Sequence, residues 1–151
     1  MANAATKEKP TISIVRKFKA TPDKVWRAWT DAQTLKQWMA PSDAYAVPLA
    51  EADVRVGGRY RIVMKAPDGE EHDLSGVYRE VTPNRKLVYT WAWKSTPERE
   101  SLVTVELRAA GSGTELTLTH EQFFDAAARD RHQHGWDGCI GRLERMLSQS
   151  A

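Results

Sequence analysis

From Pro41 onward, apolar side chains recur at every second position for about eighty residues, and that alternation commits the middle of the chain to β-structure. Strands are predicted near Ala44–Val54, Arg59–Ala66, His72–Val81, Lys86–Lys94, Ser101–Ala110 and Thr114–Glu121. The separators carry turn chemistry: Gly57-Gly58, Pro67-Asp68-Gly69, Thr82-Pro83-Asn84, Thr96-Pro97 and Gly111-Ser112-Gly113. Connections this short join antiparallel neighbours, because a parallel pair needs a crossover of about a dozen residues or more.

The flanks read differently. Thr11 to Ala20 reads as a further strand, with Ile12, Ile14, Arg16 and Phe18 on one face that the arginine leaves imperfect. Thr21-Pro22-Asp23 starts a helix, with a hydroxyl N-cap, proline at the first helical position and an acid in the first turn. Asp31 caps a second short helix carrying Leu35, Trp38 and Met39, which Pro41 stops. At the far end, Asp125 is the expected N-cap of a long helix whose Trp136, Cys139, Ile140, Leu143, Met146 and Leu147 form one stripe able to lie on the sheet. Gly135, Gly138 and Gly141 interrupt it at about 1 kcal/mol each relative to alanine, so something must compensate. Either the helix approaches the sheet closely there, or the missing side chains leave room for a ligand.

Composition narrows the function classes. A chain of 151 residues with 41% hydrophobic content supports one core, read as a single domain over 11–149 behind a loose polar tail at 1–10. The 22 basic residues are interspersed among 20 acidic ones, which gives no electrostatic footprint for nucleic acid. Cys139 is the only cysteine, which excludes an intrachain disulfide and a cysteine-cluster metal site. No apolar run has the length of a secretory signal or a membrane span, so no membrane partner is expected and the cytoplasm is the expected compartment.

Several segments resemble a known family. Thr21-Pro22-Asp23-Lys24-Val25-Trp26 followed by Trp38, then Val56-Gly57-Gly58-Arg59-Tyr60, Asp68-Gly69, Leu87-Val88-Tyr89-Thr90-Trp91, Gly113 to His120 and His134-Gly135-Trp136 resemble the branch of the START-related helix-grip superfamily named for activators of heat-shock protein 90 ATPase. The resemblance spans roughly residues 11–149. It implies an α+β fold of the START/Bet v 1-like, helix-grip kind: a seven-stranded antiparallel curved sheet wrapped on a long C-terminal helix, with two short helices after the first strand. It also implies a cavity between sheet and helix that in many relatives holds a hydrophobic small molecule. The family name implies a stress-response role with a chaperone partner.

The aromatic residues carry the strongest functional signal, with six tryptophans in the chain. Leu87, Tyr89, Trp91 and Trp93 share one strand face, and Tyr60, Ile62 and Met64 share another. Rings of this size can line a pocket as well as fill one. His120 follows Leu116 and Leu118 on an apolar face and is expected to point inward, as a hydrogen-bonded structural histidine or an acid–base group at the cavity mouth. His132 and His134 lie two apart on the last helix and point to different faces, so no metal site is expected. His72-Asp73 and His120-Glu121 are strand neighbours facing opposite ways, which weakens both as reacting pairs. Lys94 to Glu100 reads as a solvated hairpin tip.

The expected function is binding of a hydrophobic or aromatic small molecule by Trp38, Tyr60, Met64, Tyr89, Trp91, Trp93, His120, Trp136 and Ile140, with no cofactor, no metal and no assigned catalytic residue. Two alternatives stand beside it: modulation of a chaperone ATPase through the surface, and a cyclase- or hydratase-like enzyme using His120 as acid–base. An exposed edge strand or apolar helix surface would also allow a homodimer.

Overall fold

The computed structural model describes residues 10–150, with side chains to 148. The loose tail expected at 1–10 lies, apart from Pro10, outside the described residues. The elements run β1 (Ile12–Phe18), α1 (Pro22–Thr30), α2 (Ala32–Trp38), β2 (Ala46–Ala52), β3 (Arg59–Lys65), β4 (Glu71–Thr82), β5 (Lys86–Trp93), β6 (Ser101–Ala110), β7 (Gly113–Glu121) and α3 (Ala126–Ser150). Each strand falls within two residues of its expected bounds. The strands form one antiparallel sheet in the order β1-β7-β6-β5-β4-β3-β2, so β1 and β2 are its edges.

Alternation explains the curved sheet's inner face. On β1, Ile12, Ile14 and Phe18 are buried, while Arg16 in the same row stays half-buried and reaches Glu144 of α3 at 3.8 Å. The charge in that face is thus accommodated by lying over the stem and passing to the helix rim. Beneath the helices, Trp29 meets Trp38 edge-on at 4.6 Å, and Tyr60, Tyr78 and Tyr89 cluster at 5.2–6.1 Å. Trp38 Nε1 donates to the Ala28 carbonyl at 2.8 Å, Trp29 Nε1 to Tyr89 Oη at 3.2 Å, and Tyr60 Oη to the Thr90 carbonyl at 2.6 Å.

Capping follows the sequence at two helices and departs at one. Asp31 accepts from the Thr34 amide at 3.0 Å, and Asp125 accepts from the Ala128 amide at 2.8 Å. Thr21 has the extended backbone of an N-cap, but its hydroxyl donates to the Asp23 carboxylate instead of accepting from the helix. Donation to the nearby anion turns the hydroxyl toward Asp23, and Pro22 has already removed one of the orphan amides.

Of the expected stripe on α3, Trp136, Cys139, Ile140, Leu143 and Leu147 are buried and Met146 is half-buried at its edge. The close approach expected against the sheet is made elsewhere. A Cβ on Gly138 would fall 1.9 Å from the Pro41 carbonyl oxygen, so the helix backbone abuts the loop after α2. Arg142 fixes the same junction, donating to Asp43 at 3.0 Å and to the carbonyls of Gln37, Trp38 and Ala40 at 3.1–3.4 Å. Gln37 and Trp38 end α2 and Ala40 follows it; the guanidinium donates to all three carbonyls, that of Trp38 also accepting from the Ala40 amide at 2.8 Å.

Candidate functional site

The inner face of the sheet is filled beneath α1 and α2 and open beside α3. Among Trp29, Leu35, Met39, Tyr60, Tyr78, Leu87 and Tyr89, the residual void is about 10 Å³, too little for any ligand. Toward the N-terminal half of α3 the sheet and helix part, leaving a cleft of about 370 Å³. Its walls are Tyr45 and Met64 with Trp91, Trp93, Trp136 and Cys139, and its rim carries His72, Arg131, His132 and His134. The ring centroids stand close enough to form a continuous wall: 5.7 Å between Trp91 and Trp93, and 5.2 Å between Trp91 and Trp136.

Gly135 lines this cleft, and a Cβ placed there would meet nothing within 4 Å. The interrupted helix therefore uses two glycines differently: Gly138 permits contact with the Pro41 loop, and Gly135 leaves open space beside the cleft.

Two tryptophan–histidine pairs stiffen the walls. Trp136 Nε1 donates to His120 Nδ1 at 2.9 Å, and an indole nitrogen can only donate, so the proton of His120 sits on Nε2. That proton goes to Ser101 Oγ at 2.7 Å, whose own hydrogen points to the Trp91 carbonyl at 3.3 Å. The chain of donors is complete around a side chain with no solvent exposure. Burial first, and the neighbouring His132 second, hold the imidazole well below its ordinary value of 6.5. His132 mirrors this arrangement: its Nδ1 donates to the Ala128 carbonyl at 2.7 Å and its Nε2 accepts from Trp93 Nε1 at 2.9 Å. Burial lowers its pKa too, against an opposing effect of the Ala128 hydrogen bond. Both imidazoles are neutral props whose nitrogens are committed, and proton transfer by His120 would require breaking this chain.

Trp91 is the exception among the wall tryptophans. Its Nε1 is buried and has no hydrogen-bond partner among the described residues, although the ring is only 5% exposed. An unsatisfied buried donor costs about 1–3 kcal/mol, and such groups cluster where structure serves something other than stability.

Of the residues expected to bind a ligand, the structure brings Met64, Trp91, Trp93 and Trp136 together around the cleft. Tyr60 and Tyr89 border the small residual void at the filled end, and Trp38 and Ile140 are completely buried in the core. His120 lies behind the wall, touching Trp91 and Trp136. Tyr45, His72, Arg131 and His132 border the cleft without having been singled out as ligands. Tyr45 precedes a strand whose register slips between Ala46 and Leu49, and no alternation predicts where such an edge residue points. His132 turns inward and is half-buried while His134 stays exposed, in keeping with their spacing. Among the described residues no group of three or more potential metal ligands converges, and no helix is long and apolar enough to cross a membrane.

A curled antiparallel sheet closed by a long terminal helix, with a cleft where they separate, defines a helix-grip protein. The same architecture recurs in solved structures. Protein CV1439 from Chromobacterium violaceum superposes with a TM-score of 0.83 at 27% identity, over 91% of this chain and 96% of that one. Mll3558 from Rhizobium loti is 31% identical over 91% of this chain and 96% of its own, with a TM-score of 0.73. The AHSA1 (SPO3351) protein from Silicibacter pomeroyi, at 24% identity, shares the fold with a TM-score of 0.84 over 94% of this chain and all of its own. Residues 19–148 match the family described as Activator of Hsp90 ATPase homolog 1-like protein, and the chain belongs to that family. No curated protein matches it significantly.

Proposed function

We propose that the protein binds a small apolar molecule, aromatic or lipid-like, in the cleft between β5 and α3. The observation that carries this reading is the cleft itself: about 370 Å³ walled by Trp91, Trp93, Trp136, Tyr45 and Met64 at the one end where sheet and helix do not fill each other's space. The volume falls in the range of small-molecule sites, which are mostly apolar with a few placed polar groups. An aromatic body burying about 150–250 Å² gains roughly 4–6 kcal/mol from desolvation on its own side, against which the lost freedom of the bound molecule is set.

The test is a titration with a neutral aromatic probe, naphthalene-2-methanol, read by tryptophan emission in the native protein and in Gly135→Leu. The Cβ of a leucine there meets nothing within 4 Å, leucine is a better helix former than glycine, and the rest of the side chain competes with a ligand for the cleft that position 135 lines. Saturable binding of one probe per chain, lost in Gly135→Leu with thermal stability no lower than the native protein's, is expected. Non-saturable quenching, or binding indifferent to the leucine, would reject the cleft as the site.

A further inference from the structure

The lining of the cleft itself carries charge of one sign. No aspartate or glutamate lines the cleft, whereas Arg131 does. Arg131 is exposed and has no ion pair among the described residues. Its helix supplies none: one turn away stand Ala127, Ala128, His134 and Gly135, and no carboxylate. The nearest acids in sequence are engaged otherwise, Asp130 with Arg129 at 3.0 Å and Asp137 with Gln133 at 3.2 Å. Across the rim, Asp73 is held by Arg61 at 2.8 Å and Glu70 lies 3.5 Å from His72. Glu70, Glu71 and Asp73 face an adjoining depression of about 570 Å³, which Arg131 borders together with Lys94 and Arg99.

We infer that the cleft selects an organic monocarboxylate, its apolar body set between Trp91, Trp93 and Trp136 and its carboxylate against the guanidinium of Arg131. This rests on the cleft being a ligand site, as proposed above. A guanidinium matches a carboxylate with two parallel hydrogen bonds, and on the cleft side Arg131 is a cation without an ion pair among the described residues, the acids lying on the side of the adjoining depression. A neutral ligand would leave Arg131 with no such partner. A dianion would place its second charge beside the tryptophan wall, without a cation to receive it.

The experiment compares naphthalene-2-carboxylate with naphthalene-2-methanol, which share a ring and differ in the head group, by calorimetric titration at low salt. The native protein is expected to bind the carboxylate about tenfold more tightly, the scale of one hydrogen-bonded charge contact. Arg131→Gln should abolish that preference and leave the alcohol's affinity within about twofold, while Arg131→Lys retains part of it. Equal binding of the two probes by the native protein, or equal weakening of both by Arg131→Gln, would overturn the inference while leaving the apolar cleft standing. Failure of both probes to bind would overturn the ligand-site reading and this inference with it.

Discussion

Replacing Ser101 with alanine removes one oxygen and strands one proton. Ser101 Oγ is the acceptor for His120 Nε2–H at 2.7 Å, and the imidazole has no exposed surface through which water can substitute. The other ring nitrogen is already occupied by Trp136, so the ring cannot turn over to recover the bond without losing that one. The cost is that of a buried unsatisfied donor, about 1–3 kcal/mol, with a further small contribution from the missing oxygen's packing. For a chain of this length, about 2 kcal/mol lowers Tm by roughly 4–8 °C. Urea denaturation followed by tryptophan emission measures the loss directly, and circular dichroism at low denaturant checks that the sheet is intact. A Ser101→Ala variant within about 0.5 kcal/mol of the native protein would show that the hydrogen-bond chain behind the cleft does not hold the wall in place.

Two further outcomes follow from the same structure. Gly135→Ala and Gly141→Ala place a methyl in open space and should each stabilise α3 by about 0.5–1 kcal/mol, whereas Gly138→Ala drives a Cβ to 1.9 Å from the Pro41 carbonyl and should destabilise by more than about 2 kcal/mol; thermal melts of the three variants decide this, and equal effects would refute it. Because burial depresses the pKa of both His120 and His132 below 6.5, the unfolded chain binds protons that the folded one does not, so stability should hold above about pH 6.5 and fall as pH drops below it, by at most about 1.4 kcal/mol per pH unit for each histidine. Denaturation midpoints flat between pH 7 and 5 would contradict that.

Much of the fold was legible because each strand buries one face, and period two exposes that fact residue by residue. The site was only partly legible for the same reason. Tyr60 and Met64 occupy the same face of β3, yet Tyr60 borders the filled end and Met64 the cleft. Alternation says which side of a sheet a residue takes and is silent on how far along the groove it lies. That position is set by where α3 crosses the sheet, and the crossing is fixed by long-range contacts such as Gly138 against Pro41 and Arg142 against the end of α2. His120 was legible as an inward polar residue on β7, but not its role, since both its partners come from other elements, Ser101 on β6 and Trp136 on α3. Arg131 and Tyr45 gave no signal at all, one being an ordinary helix-surface cation and the other lying just before a bulged edge strand.

In the proposed binding mode small molecules enter the groove beside α3 and not beneath α1 and α2, and the six tryptophan side chains report on both places. Indole N–H resonances in a nitrogen-15 NMR titration with naphthalene-2-carboxylate give the most direct reading. Shifts concentrated on Trp91, Trp93 and Trp136, with Trp26, Trp29 and Trp38 unmoved, are predicted. A spectrum in which the three wall tryptophans do not move, or move no more than Trp29 and Trp38, would contradict the account.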